Sequence, residues 1–251
     1  MPVFDAHLHI IDPRYPLVEN QGYLPKDFLV EDYLQRASTL TIQSGVVVSG
    51  SFQVFDQTYL VNALKQLNIN ANNFVGVTQL PANVSDDEIV TLDRQGVRAL
   101  RFNLKRGGSE SVAELESMAN RVFELVGWHV ELYIGFDALS ELSNVIGKLP
   151  SVSIDHLGLE ARSLPILKDL VSVGVNVKAT GFGRLDFDFL PTIRAIYAIN
   201  PDALMFGTDL PSTRAPKPFD AAHLRLLEES FDESVFKKIT WQNGRSFYRL
   251  N

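Results

Sequence analysis

Short apolar runs rich in β-branched and aromatic residues alternate with amphipathic stretches along the whole chain. The runs predict strands at Val3 to His9, Gly45 to Ser51, Phe74 to Gln79, Val97 to Asn103, Trp128 to Ile134, Ser151 to His156, Val175 to Thr180 and Ala203 to Gly207. Apolar residues at helical spacing lie between them, at Val30 to Gln43, Thr58 to Leu67, Ser85 to Gln95, Ser111 to Val126, Leu139 to Leu149, Leu164 to Val173 and Phe187 to Ile199. Two further helices are expected after the eighth strand, at Phe219 to Ser230 and Glu233 to Phe247. Strands alternating with helices eight times over predict an α/β fold, a single (β/α)8 TIM barrel. No linker-like break divides residues 1–251, so one domain is expected. A doubly wound open sheet would carry a Gly-rich phosphate turn after its first strand, where this chain has His9-Ile10-Ile11-Asp12-Pro13.

The 251 residues are 45% hydrophobic, enough to bury a barrel's core. A net charge of −7 argues against a nucleic-acid or anionic-membrane partner, since both require a basic face. There is no cysteine, which excludes disulfides and thiolate chemistry and fits the cytoplasm. Neither a basic leader followed by an apolar core nor a membrane-length apolar run is present, so no membrane association is expected.

Chemistry first shows in the opening strand. Strict alternation puts Asp5, His7 and His9 on one face and Phe4, Ala6 and Leu8 on the other. Polar groups in line on a buried strand cost several kcal/mol unless partnered, so they mark either a site or a pair of hydrogen-bonded core histidines. In a parallel barrel the chemistry collects at the C-terminal strand ends. Those ends carry Ser49 and Ser51, Arg101 with Arg106 beyond, Tyr133, Asp155-His156, Gly181-Phe182-Gly183-Arg184 and Asp209. Such a collection favours a site. The segment from Asp12 to Lys26, with three prolines and several aromatics, is expected to lie over the mouth. His129 falls too early on its strand to join the site and is read as structural, with Glu131 as its partner; His223 is read as a surface residue of an outer helix.

Four motifs in order, Asp5-Ala6-His7-Leu8-His9, Gly96 to Asn103, Asp155-His156-Leu157-Gly158 and Gly207-Thr208-Asp209-Leu210-Pro211, resemble the amidohydrolase superfamily. Within it the chain is similar to the branch containing 2-pyrone-4,6-dicarboxylate lactonase. The resemblance implies a barrel that hydrolyses lactones or related esters and amides of a small carboxylate-bearing substrate, as in aromatic catabolism. It assigns catalysis to His7, His9, His156 and Asp209, and substrate binding to Tyr23, Ser51, Arg101, Arg106, Tyr133 and Arg184. One divalent ion such as zinc would be held by His7, His9 and Asp209. Relatives with tightly held metals usually have a histidine, lysine or carboxylate where Tyr133 stands, so work without metal is equally open. The lactonase pattern also has an arginine just after Asp-His-x-Gly, where this chain has Leu159.

Asp209 is the expected base toward water, with His7, His9 and His156 donating to the carbonyl oxygen and Arg101 and Arg184 holding a substrate carboxylate. A metal-dependent, non-oxidative decarboxylase of the same superfamily is the alternative, against which Tyr133 counts. A catalytically inactive barrel serving as a binding protein is the alternative of another class.

Overall fold

The computed structural model describes residues 1–69 and 72–250. Eight parallel strands pair in sequence order: β1 (Val3–Leu8), β2 (Ile42–Val48), β3 (Asn73–Thr78), β4 (Val97–Asn103), β5 (His129–Tyr133), β6 (Val152–Ile154), β7 (Asn176–Ala179) and β8 (Leu204–Phe206). The ring closes just beyond the last strand, where Asp209 N–H donates to His7 O at 2.7 Å and His9 N–H to Leu210 O at 2.8 Å. Helices follow each strand: α1 (Val30–Ala37), α2 (Thr58–Leu67), α3 (Asp86–Arg94), α4 (Leu115–Val126), α5 (Phe136–Ile146), α6 (Leu164–Ser172), α7 (Phe189–Ile199) and α8 (Ala221–Ser230). This is the expected (β/α)8 barrel. No described helix is long and apolar enough to cross a membrane.

The strands are buried on both faces, which is why they read as near-continuous apolar runs. Their outer faces join the helices in one core that includes Val47, Phe102, Val130, Leu132, Ile154, Val177 and Phe206. Inside the barrel, Phe4, Ala6, Val46, Val48, Val75, Val77, Ala99 and Met205 form a second, smaller cluster. The opposite interior wall, from β5 to β7, is polar: His129, Glu131, Ser153 and Lys178 are all buried there, with Asp155 just past β6. One side of the lumen is therefore packed by apolar contact and the other by charge.

The first strand departs from simple alternation. Between Asp5 and Leu8 it spans three steps while β2 spans two, from Gly45 to Val47. This β-bulge flips the facing of the chain. Phe4 and Ala6 point into the lumen, and Asp5 points outward to accept from the Tyr33 hydroxyl of α1 at 3.1 Å. Past the bulge His7 meets the interior charges while Leu8 joins the outer core. The expected shared face of Asp5 and the two histidines is thus corrected. Asp5 instead ties β1 to the loop after β8, accepting from Thr208 N–H at 2.8 Å and from its hydroxyl at 2.7 Å.

All strands but β4 end before their expected limits because their last residues leave the sheet to build loops at the mouth. Helix α1 stops at Ala37 rather than Gln43, and Thr41 turns through a φ of 51° into β2. The last predicted helix is continuous but passes through a π-helical stretch, Lys238–Gln242, between Glu233–Lys237 and Asn243–Phe247. It closes the barrel floor and delivers Tyr248 into the interior, where the hydroxyl donates to Glu131. Gly244 allows this closure: a Cβ there would run into the Phe4 ring.

Candidate functional site

At the C-terminal mouth, three atoms from two strand ends converge. His7 Nε2 and His9 Nε2 lie 3.9 and 3.8 Å from Asp209 Oδ1. His7 Nε2 and Asp209 Oδ1 are buried and have no hydrogen-bond partner. Orphaned polar atoms of this kind are costly and mark a functional gap. The backbone carries strain at the same place. His156 and Asp209 have φ values of 53° and 60°, and Leu157 and Leu159 of 50° and 66°, a left-handed conformation that side chains rarely adopt without a reason. Gly181, at φ 62°, leaves room for His156, since a Cβ there would stand 2.5 Å from its Nδ1.

The tautomers are partly fixed. His9 Nδ1 lies 2.7 Å from Val48 O, which can only accept, so Nδ1 carries the proton and Nε2 presents a lone pair. His156 Nδ1 is paired with the Thr180 hydroxyl at 2.8 Å. His7 Nδ1 lies 3.5 Å from Asp155 Oδ1 and 3.4 Å from Lys178 Nζ. Burial lowers the pKa of all three rings, and for His9 and His156 nearby cations deepen the shift, so they are neutral at pH 7. A neutral His9 cannot donate to a carbonyl oxygen as the sequence reading expected. It can hold a water or a metal ion.

Below these groups runs a buried charge network. Lys178 Nζ lies 2.5 Å from Glu131 Oε2 and 3.8 Å from Asp155 Oδ1, and Glu131 meets His129 Nε2 at 3.2 Å. Arg101 donates to Asp155 Oδ2 at 2.8 Å and to Ser49 O at 2.7 Å. Burial opposes ionisation of Asp155, but the His7 ring, Arg101 and Lys178 outweigh it and hold the carboxyl well below its usual range. Above the network, Arg184 Nε donates to Asp209 Oδ2 at 2.7 Å.

A cleft of about 380 Å³ opens over this floor, lined by His9, Ser51, Arg101, Asn103, Arg106, Tyr133, His156, Arg184 and Arg214 among others. His7 and Asp209 do not line it; they are 0% and 1% exposed, behind His9, His156 and Arg184. A sequence profile of the amidohydrolase family matches residues 4–250. The chain belongs to this family. The amidohydrolase is 29% identical over 227 residues to a 4-sulfomuconolactone hydrolase of Rhizobium radiobacter, an alignment covering 83% of this chain and 75% of the relative. It is 28% identical over 235 residues to a 2-pyrone-4,6-dicarboxylate hydrolase of Comamonas testosteroni, covering 82% and 76%. Its fold matches a probable 2-pyrone-4,6-dicarboxylic acid hydrolase from Acinetobacter baumannii with a TM-score of 0.81 at 22% identity, covering 99% of this chain and 100% of that one. An Agrobacterium tumefaciens protein gives a TM-score of 0.85 at 19% identity, covering 99% and 96%.

In this amidohydrolase the expected residues Ser51, Arg101, Arg106, Tyr133, His156 and Arg184 share one cleft with His9. Tyr23 stands beside it, its ring stacked 4.5 Å from the Arg214 guanidinium. Arg101 and Arg184 were expected to grip substrate; each is first committed to a buried carboxylate. His129 is structural and bound to Glu131, as expected. His223 is not a plain surface residue: it is half-buried against Phe182, Phe189 and Phe219 and caps α8 with Asp220. Leu159 is buried away from the cleft. The sequence reading missed Lys178, although a lysine inside Val175-Asn176-Val177-Lys178-Ala179 is the kind of interruption that signals an interior charge. It also missed Asn103 and Arg214 at the cleft wall.

Proposed function

We propose that the chain hydrolyses a lactone, or a related ester, of a small carboxylate-bearing substrate. The observation that carries this is the convergence of His7 Nε2, His9 Nε2 and Asp209 Oδ1 on one gap beside a basic cleft. Two acceptors, His9 Nε2 and Asp209 Oδ1, suit a water whose hydrogens point at them and whose lone pair faces the cleft. Asp209 takes the proton as that water attacks the carbonyl, and Arg184 holds the carboxylate in place as the general base. His156 and the remaining Arg184 N–H groups, both facing the cleft, stabilise the developing oxyanion. Ring opening returns the proton to the leaving oxygen and yields a hydroxy acid or its keto form. Arg101 and Tyr133 orient the ring, and Tyr23, Ser51 and Arg106 bind its substituents.

The donor set also fits a divalent cation, since two imidazole nitrogens and one carboxylate oxygen lie within 4.8 Å of one another. His7, His9 and Asp209 would hold it, and it would polarise the carbonyl and lower the pKa of water. Related hydrolases named for a sulfomuconolactone and a pyrone dicarboxylate support the substrate class. The test is a panel of γ- and δ-lactones bearing carboxylates, followed by pH-stat. Acid release catalysed by the protein is expected; carbon dioxide release with uptake of acid would instead identify a decarboxylase, and neither would identify a non-catalytic barrel.

A further inference from the structure

His156 can stabilise an oxyanion only if its cleft-facing nitrogen carries the proton, and the residue just past β7 decides that. Alternation along Lys178-Ala179-Thr180 turns Ala179 out to the core and Lys178 and Thr180 into the barrel. Thr180 is 0% exposed, and among the described residues its hydroxyl meets one partner, His156 Nδ1 at 2.8 Å. Burial first and the Arg184 charge next lower the pKa of the ring, so it holds a single proton.

A hydroxyl has one proton to give, and a neutral imidazole has one nitrogen that donates and one that accepts. With the proton on Nδ1, the ring would donate to Thr180 Oγ1 and leave the buried hydroxyl proton without an acceptor. With Nδ1 bare, the hydroxyl donates to it and no donor at this contact goes unpaired. A buried donor left unmade is the costlier state, so Thr180 donates and the ring proton sits on Nε2. Nδ1 is covered by Thr180 and the Gly181 backbone, so Nε2 is on the edge that meets the cleft. The threonine rotamer is held as well. A Cβ on Gly207 would stand 2.8 Å from Thr180 Cγ2, so the bare glycine seats the methyl and the hydroxyl is left facing His156. His9 is set the opposite way, its Nδ1 donating to the Val48 carbonyl. One cleft thus receives an accepting and a donating imidazole, chosen by a carbonyl and a hydroxyl behind them.

We propose that Thr180 is a positioning residue for catalysis: its hydroxyl donates to His156 Nδ1, fixes the proton on Nε2 and makes His156 a hydrogen-bond donor toward the substrate carbonyl oxygen. This rests on the hydrolytic reading of the cleft, but the tautomer is read without turnover. The chain has five histidines, and His156 is assigned by its loss in His156→Asn. Long-range proton–nitrogen NMR of histidine-labelled protein at about pH 7.5 should show His156 Nδ1 unprotonated and Nε2 protonated. Thr180→Val keeps the shape and removes the donor, so the two resonances should move toward each other as the tautomers mix; Thr180→Ser should restore their separation. With the lactone that wild type hydrolyses fastest, Thr180→Val should lower kcat by about 10- to 100-fold with KM within about threefold, and Thr180→Ser should return kcat to within about threefold of wild type. Thr240→Val, which alters a buried threonine of the floor helix, should leave both constants unchanged. A proton on Nδ1 in wild type overturns the proposal, and that arm decides if Thr180→Val folds poorly. A kcat within about threefold of wild type in folded Thr180→Val also overturns it. An Nε2-protonated ring that mixes tautomers in Thr180→Val, without turnover of any lactone by wild type, would leave the Thr180 assignment standing and remove the hydrolytic reading.

Discussion

Replacing Lys178 by methionine removes one charge from a balanced group of four inside the barrel. Lys178 and Arg101 face Glu131 and Asp155, and all four are buried. After the change Asp155 keeps Arg101, while Glu131 keeps only His129 and the Tyr248 hydroxyl. Burial opposes the Glu131 charge, yet Lys178 and His129 hold its carboxyl at about 2 rather than 4.5. At about 1.4 kcal/mol per pH unit, that is about 3 kcal/mol of interaction favouring the ionised form. Breaking a buried pair by removing one partner costs about 3–5 kcal/mol, in agreement. The sign with pH follows. In wild type this contribution is present above the ordinary carboxylate pKa and is lost as pH falls toward 2. In Lys178→Met burial dominates, Glu131 titrates above its ordinary range, and protonation relieves the deficit as pH falls. Urea unfolding should therefore show a loss of about 3–5 kcal/mol near pH 8 that shrinks by at least about 1 kcal/mol near pH 5. Adding Glu131→Gln should recover part of it. A loss below about 1 kcal/mol, or one equal at both pH values, refutes the reasoning.

Other outcomes follow from the same geometry. Because burial keeps His7, His9 and His156 neutral, kcat/KM should stay flat from about pH 7.5 to about pH 6; an acid limb at about 6.5 or above would show that an ordinary histidine controls the reaction. Tyr248→Phe removes the hydroxyl that donates to Glu131 and should cost about 1.5–3 kcal/mol in urea unfolding, with no change meaning that the bond adds nothing. Gly244→Ala should drive a methyl group into Phe4 and cost about 1–3 kcal/mol by the same assay, and a neutral result would show that the floor helix can shift away.

The barrel was legible because each strand is buried on both faces and each helix on one, and those two periodicities survive without knowledge of contacts. Thr58–Leu67 and Val97–Asn103 fall at their expected bounds. The strand-end rule gathered His9, Arg101, His156 and Arg184 from distant segments. What was not legible depends on partners. A one-residue bulge leaves no mark in Phe4-Asp5-Ala6-His7, yet it decides that Asp5 faces α1 and His7 the lumen. The pairing of Arg101 with Asp155 and of Arg184 with Asp209 is set by register between strands far apart in sequence. Tyr248 reaches Glu131, 117 residues away, only because the last helix folds under the barrel.

The central claim is that Asp209 activates water for lactone hydrolysis, and Asp209→Asn tests it most directly. Asparagine keeps the shape and can still accept from Arg184 Nε through its amide oxygen, but it cannot take a proton. With the lactone that wild type hydrolyses fastest, pH-stat should show kcat falling by about 10²–10⁴. A variant within about threefold of wild type, folded by circular dichroism, would contradict the account.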